Sequence, residues 1–478
     1  MQEFRNPENQ MLRSDPGTTI LINLLRTSIR RIFTLPIWIS LSLLFTGSGI
    51  VRAQSKVWSV DDCIQYALEK NIQVQKALVS NDISEINMNY AKSGWYPSLN
   101  GSARQNYTWS NQTNSTTGST VFKGSDGTNI SLSSSVTLFN GDRIRNNIRK
   151  SETDFEAQKY NAEIIKENVG LSVLNAYLQV LYSEELVKNS INQINSTAEQ
   201  LNLAAERLKL GAISNSDYLQ VKSQIATEKQ TLATANSQLA INRVTLMQLM
   251  ELPQVNNFEI EHPNLDSMIN QRRNPDAAEV YRISLGLKPE VKNAELSKKS
   301  SEIAVEIAKS GLLPSISMNA GLTTLYSSLQ KSESFGNQIN NNISPAVGFT
   351  ASVPIYLNHQ VRTNVAIARR NTDNAALDEM NVKNQLRKSI EQACLDVSSS
   401  QIEYDASAEG YKAVKESFDV AAEKYFQGLL NSVDYLVQKT SYINSESNFL
   451  QSKYRLIFSY KVLDFYSGQP LSFKNINK

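Results

Sequence analysis

The chain has only two cysteines, Cys63 and Cys394, too few for a disulfide framework or a thiolate metal cage. Its two histidines, His262 and His359, have no partner at a metal-like spacing, which excludes most histidine-based catalytic constellations. Neither charge sign dominates. Over 478 residues, 48 Lys and Arg stand against 46 Asp and Glu, so composition makes no case for nucleic-acid binding, which needs a basic face. No Walker-type glycine-lysine loop occurs, and nothing in the chain couples it to nucleotide or protons. Twelve prolines and 19 glycines leave room for unusually long uninterrupted elements. These absences point away from an enzyme, and no cofactor or metal is expected.

The amino end has a different character. Arg26, Arg30 and Arg31 precede the apolar run Ile32 to Phe45, and the small-residue stretch after it closes with Val51-Arg52-Ala53. A positive start, an apolar core and a small-residue cleavage site make residues 1–53 a leader and export signal. No cysteine follows the apolar run at the cleavage point, which leaves lipid anchoring there unsupported. No later segment reaches the roughly 18 apolar residues of a membrane helix. The mature chain is therefore exported without a transmembrane helix.

Beyond the leader the chain is one unit written twice. Ala91-Lys92-Ser93-Gly94-Trp95-Tyr96-Pro97-Ser98-Leu99 recurs as Ala308-Lys309-Ser310-Gly311-Leu312-Leu313-Pro314-Ser315-Ile316, six of nine identical at an offset of 217. Ser135-Val136 with Arg145 and Asn147 recurs as Ser352-Val353 with Arg362 and Asn364 at the same offset. So do Glu206, Gly211, Asp217, Tyr218, Leu219 and Lys222, as Glu423, Gly428, Asp434, Tyr435, Leu436 and Lys439. A single spacing at separated landmarks implies an ungapped duplication. The first repeat is assigned to 54–252 and the second to 289–469, with a connector at 253–288 and a tail at 470–478.

Within each repeat the period changes. Trp58 to Ser93 reads as a helix capped by Ser59 and ended by Gly94 and Pro97. Alternation of apolar and polar residues then predicts strands at 97–110 and 129–140, and at 314–327 and 346–357 in the second repeat. Their length and two-faced pattern suit tilted membrane strands. Tyr107, Trp109 and Tyr326 near one end, and Trp95, Tyr96, Phe139 and Tyr356 near the other, suit aromatic girdles. Asn111 to Thr128 and Ser327 to Pro345, rich in Ser, Thr, Asn and Gly, read as polar outer loops. Long helices follow at 142–210 and 358–427, about 100 Å each, and return helices at 217–252 and 434–466. Apolar residues recur every seventh position: Val173, Val180, Val187, Ile194, Leu201 and Leu208 in the first repeat; Ile390, Val397, Tyr404, Tyr411, Phe418 and Tyr425 in the second. A strict heptad implies left-handed supercoiling. An exported coiled-coil rod or adhesin would explain the helices but not the strands.

Four strands cannot close a membrane barrel, whose smallest members have about eight, and open edges are not tolerated in lipid. Closure requires several copies. Two give eight strands and an interior filled by side chains; three give twelve and an open lumen, which the Ser, Thr and Asn on the polar face favour.

The duplicated strand-strand-helix-turn-helix order resembles the TolC-like outer-membrane efflux proteins. So do the opening Trp58-Ser59-Val60-Asp61-Asp62-Cys63-Ile64, the Ala-Lys-Ser-Gly-x-x-Pro-Ser steps and the paired helix-turn motifs. The resemblance implies a mixed α and β membrane protein: a homotrimer whose 12-stranded transmembrane β-barrel continues into a long α-helical coiled-coil barrel through the periplasm. It implies a passive exit duct for efflux or type I secretion, joined to an inner-membrane pump by a periplasmic adaptor and embedded in outer-membrane lipid. By the same resemblance Gly211, Ala212 and Ile213, with Gly428, Leu429 and Leu430, form helix tips that dock the adaptor. Asp217 and Asp434 line the constricted entrance, although Ser214 to Asp217 and Asn431 to Asp434 also read as helix caps. Leu430 and Val437 stand where some members carry a locking arginine and a second acid. Aromatic packing by Tyr425 and Tyr435 at the constriction is the expected replacement for an ion-pair gate.

Overall fold

A computed structural model describes residues 57–113, 116–253, 258–330 and 332–473. The expected leader, residues 1–53, lies outside the described residues. A short strand β1 (Val57–Trp58) leads into α1 (Val60–Lys70) and α2 (Ile72–Lys92). Ser59 caps α1 in a box with Asp62, each side chain bonding the other's backbone amide. The single helix expected from Trp58 to Ser93 is broken at Asn71. Its side chain accepts from the Gln73 amide at 2.8 Å and donates to the Leu249 carbonyl at 2.8 Å, diverting the backbone from the helix.

Strand β2 (Ser98–Thr113) pairs along its full length with β3 (Thr120–Phe139), which runs on past it to Phe139. Residues 111–128, expected to form a polar loop, are thus mostly ribbon. Thr120, Val121 and Phe122 favour extended backbone, and a ribbon needs no apolar face to pair its backbone groups. Helices α3 (Arg143–Lys209) and α4 (Asn215–Leu249) follow, then β4 (Glu259–Ile260), α5 (Asp266–Ile269) and α6 (Ala277–Leu287) in the connector. The order then returns as α7 (Pro289–Lys309), β5 (Ser315–Ser327), α8 (Phe335–Asn341), β6 (Ser344–Ser352), α9 (Gln360–Phe426) and α10 (Ser432–Tyr466). The short helix α8 occupies the stretch expected as a loop. Strand β6 stops before Pro354, which has no amide to give a ladder. Both long helices have 67 residues, and both return helices 35.

The sheet order is β2-β3-β5-β6, all antiparallel, leaving β2 and β6 as open edges. The register places Leu132 between Gly101 and Leu322 on one face, while Ser102, Ser131 and Thr323 share the other. The helices repeat this logic. Below the sheet α3 packs between α2 and α7, and α7 between α3 and α9, so α2 and α9 are the open edges of that layer. Farther along, α3 pairs with α4 and α9 with α10 as two hairpins.

The main core lies where the connector crosses the helices. Cys63 and Ala67 of α1, Val173, Tyr177 and Val180 of α3, Leu246 and Met250, Ile260, and Ile457 and Tyr460 of α10 are packed there. The Tyr177 hydroxyl donates to the Glu261 carbonyl at 2.6 Å, tying the connector to α3. Both cysteines are buried and unbridged. Among the described residues no helix is long and apolar enough to cross a membrane.

Candidate functional site at the helical tips

Both hairpins turn in the same way. Gly211 and Gly428 have φ of 71° and 80°, a conformation that disfavours any side chain with a Cβ, and nothing lies within 4 Å of the Cβ position of either. The amides of Gly211 and Ala212 bond the carbonyls of Leu208 and Arg207, and those of Gly428 and Leu429 bond Tyr425 and Lys424. These are Schellman turns that close the ends of α3 and α9. Ala212, Ile213 and Leu430 complete the two turns, and Leu429 is 73% exposed at the second.

Asp217 and Asp434 open the return helices as caps. Ser214 and Asp217 form a reciprocal box. Asn431 accepts from the Asp434 amide at 2.9 Å and donates to its carboxylate at 2.8 Å. Asp217 does more than cap, because its Oδ1 accepts from the Ser432 hydroxyl of the other hairpin at 2.5 Å. That bond and the one from Ser214 hold its carboxyl below the usual carboxylate range. Asp434 faces a cleft of about 700 Å³ with Glu416, Lys424, Leu430 and Val437.

Tyr425 and Tyr435, expected to pack together at the constriction, are buried beside the tips. They are 5% and 1% exposed and stack on each other, with ring centres 4.6 Å apart, inside the chain. Burial raises the pKa of both hydroxyls, so the rings stay neutral. They form the last rung of an aromatic ladder within the second hairpin. Phe418 lies 5.7 Å from Tyr435 and 5.0 Å from Tyr442, while Tyr411 stacks on Phe449 at 5.2 Å. The heptad positions seen in the sequence supply these rings, and the ladder binds α9 to α10 through apolar contact.

The two hairpins meet through polar contacts instead. Gln193 of α3 donates to Glu446 of α10 at 3.2 Å, and Gln200 donates to the Tyr435 hydroxyl. Arg207 donates to the Tyr425 carbonyl at 3.0 Å and also to the Phe426 carbonyl, with its guanidinium 5.7 Å from the Tyr425 ring. Between these contacts Lys439, Glu228 and Thr197 form a buried cluster joining α10, α4 and α3. Arg207, Lys439 and Glu228 were not expected from sequence. A signal for Arg207 was available in its basic side chain at the last turn of α3, suited to helix-end carbonyls.

A sheet with one polar and one apolar face, continued by long helical hairpins, defines a channel-forming protein. Among the described residues no group of His, Cys, Asp and Glu is arranged to hold a metal ion. The chain belongs to the outer membrane efflux protein family, which it matches over residues 63–251 and 280–469. It is 20% identical over 429 residues to the outer membrane efflux protein BepC of Brucella suis, covering 89% of each chain. The fold is shared with the CmeC outer membrane channel of Campylobacter jejuni, with a TM-score of 0.73, 18% identity, and coverage of 86% of this chain and 85% of that one. It is also shared with the open state of the MtrE outer membrane channel of Neisseria gonorrhoeae, with a TM-score of 0.70, 18% identity, and coverage of 86% and 89%. CusC gives a TM-score of 0.74 at 17% identity, with coverage of 89% and 96%. The protein is an outer-membrane exit duct for efflux that extends into the periplasm. Its family is one of transport ducts rather than enzymes, and membership implies association with efflux pump components and adaptors. The rod or adhesin reading is not favoured.

Proposed function

We propose that three copies of this chain close a ring, forming a 12-stranded transmembrane barrel above a coiled-coil tunnel, through which an inner-membrane pump discharges by way of a periplasmic adaptor. The observation that carries this reading is the coincidence of open edges at two levels. The sheet ends in β2 and β6, and the helical layer ends in α2 and α9, the helices that join those same strands. Exposed Val79, Ile83, Ile86 and Tyr90 form a heptad-spaced stripe on α2, and exposed Ile367, Leu377 and Met380 lie on α9. Apolar edges of this kind are costly in water and fit against another copy. Strand edges in lipid must likewise pair. Three copies, rather than two, leave a lumen wide enough for the polar face of Ser, Thr and Asn.

In this ring the turns at Gly211 to Ile213 and Gly428 to Leu430 are the adaptor-docking tips. The carboxylates of Asp217 and Asp434, one set from each copy, give the entrance a negative field that favours cations. The tyrosine stack and the polar contacts between hairpins hold the tips together at rest. Opening separates the hairpins along those polar contacts while the aromatic ladder keeps the second hairpin intact. The same duct serves efflux or type I secretion, because selection of cargo lies with the pump.

The test is the mass of the mature protein in mild detergent, corrected for bound detergent, followed by planar-bilayer conductance. The reading expects three protomer masses and a channel whose cation preference falls in Asp217→Asn and Asp434→Asn. A stable monomer without membrane association would overturn it.

A further inference from the structure

The apolar face of the sheet is not evenly covered. Over its middle strands lies a cleft of about 560 Å³ that includes Gly101, Ala103, Ile130, Leu132, Leu322 and Ile343 in its lining. The register explains its shape. Gly101 faces Leu132 and Ala103 faces Ile130, so two small residues on β2 leave a trough beside the large ones of β3. Leu322 of β5 extends the apolar wall from the other side of Leu132.

Helix α8 roofs this trough and is firmly tied. Gln338 is fully buried, and its side chain accepts from the Ser327 amide at 3.0 Å and donates to the carbonyls of Gln330 and Glu333 at 2.9 and 3.1 Å. The Thr324 hydroxyl donates to the Ile339 carbonyl at 2.5 Å, and Asn342 donates to the Leu325 carbonyl at 2.8 Å. The Phe335 ring lies 4.9 Å from Tyr326, at the height expected for an aromatic girdle. The space below the helix is walled mainly by apolar side chains, with Ser102, Ser131, Thr323 and Thr324 of the strands and Asn340 of the helix also reaching its lining.

We propose that this cleft is a lipid-binding site that seats one acyl chain of a membrane phospholipid, with the lipid's polar end beside Asn340 of α8. The proposal rests on the reading of β2, β3, β5 and β6 as membrane strands. It goes beyond that reading in making the chain a fixed occupant rather than passing solvent. Three observations select this occupant. The cleft's volume falls within the range of small-molecule sites, roughly 300–1,000 Å³. None of its lining residues is charged, so it recognises a hydrocarbon and not an anionic headgroup. It lies over β2, β3 and β5, with no β6 residue among its lining. The edge strand β2 is one of its walls, so a neighbouring strand paired to β2 in the ring extends that wall and does not cover the mouth on the apolar face.

Gly101 provides the test. A Cβ there would meet only the Leu132 side chain, at 3.9 Å, so a larger residue grows into the cleft without a backbone clash. The mature oligomer, delipidated in detergent and re-exposed to a phosphatidylethanolamine of one defined acyl composition, is weighed by native mass spectrometry. Wild type should retain about one lipid per chain through a detergent wash. Gly101→Phe should lower that retention by about tenfold or more, as loss of a buried hydrocarbon contact requires, while keeping assembly and conductance. Ala103→Leu fills the same trough and decides the matter if Gly101→Phe does not assemble. Val347→Leu, on the same face but outside the cleft, should retain lipid as wild type does. Equal retention in assembled wild type and trough-filled variants would overturn the proposal. So would a wild type that conducts but retains no lipid. A wild type that neither enters liposomes nor conducts would instead overturn the membrane-strand reading itself.

Discussion

Lys439 of α10 places its ammonium 3.0 Å from the Glu228 carboxylate of α4, with the two side chains only 2% and 5% exposed. Thr197 of α3 bridges them, accepting from the lysine and donating to the glutamate, so one cluster fastens three helices. Burying such a pair costs desolvation on both sides, and its net contribution to stability is small. Breaking it is another matter. Lys439→Met should weaken the protein by about 3–5 kcal/mol, because it leaves a carboxylate buried without its cation. Adding Glu228→Leu to that variant should recover most of the loss. The thermal unfolding midpoint of the detergent-solubilised protein reads both. A single variant as stable as wild type, or a double variant no better than the single, would refute the account.

The link between Asp217 and Ser432 predicts an effect of acid. The carboxyl's pKa lies below its ordinary value of 3.8 because the ionised form accepts from Ser432 and Ser214. A depressed folded pKa contributes stability that is fully present above 3.8 and is lost as pH falls through the folded value. Resting conductance of the wild-type channel, scaled for bulk conductivity, should therefore be flat from neutral pH down to the ordinary value and rise below it. Asp217→Asn should be leakier already at neutral pH and show a smaller acid rise. Identical acid profiles for the two proteins would count against this role.

The tyrosine stack predicts a division of labour. Tyr425→Ala and Tyr435→Ala each remove one half of a buried pair that joins α9 to α10, beside the polar contacts to α3. Aromatic truncations of this kind cost roughly 3–5 kcal/mol, and here the loss falls at the tips. Resting conductance should rise in both variants. Phe418→Ala, one rung higher, should loosen the hairpin and lower the unfolding temperature with less effect on leak. If Tyr425→Ala and Tyr435→Ala leave resting conductance unchanged, the stack is packing and not part of the closure.

Local rules made the tips legible in the sequence. Gly211 and Gly428 announced turns, and Ser214 and Asn431 announced caps, because each depends on neighbours a few residues away. The aromatic ladder was visible as a seven-residue repeat. The pairing of the hairpins was not visible. Lys222 and Lys439 occupy equivalent positions in the two repeats, yet Lys222 is exposed and Lys439 buried. Nothing local separates them. The difference arises because α10 lies against α3 and α4, and that asymmetry belongs to the assembly of the two units. The ribbon at 111–113 and 120–128 escaped for a different reason, since its two large apolar residues, Val121 and Phe122, are adjacent and point to opposite faces, so no alternation reveals its period.

Arg207 gives the last prediction. No arginine stands two residues past Gly428, where Leu430 is found, yet an arginine does hold this tip, reaching it from the other hairpin of the same chain. Its partners are the carbonyls of Tyr425 and Phe426 at the last turn of α9, where a fixed guanidinium also meets the negative end of the helix. Arg207→Lys keeps the charge but loses the planar fork and the contact with the Tyr425 ring, so it should be nearly as leaky as Arg207→Ala. Ionic strength separates this clasp from a gate of exposed ion pairs. Short hydrogen bonds to uncharged carbonyls are screened little, whereas surface charge pairs fade as the Debye length falls from about 10 Å at 0.1 M salt to about 3 Å at 1 M. Wild-type resting conductance, scaled for bulk conductivity, should thus stay constant across that range, and Arg207→Ala should leak at every salt concentration. A wild-type leak that climbs with salt to the level of Arg207→Ala would place closure in exposed charge pairs instead.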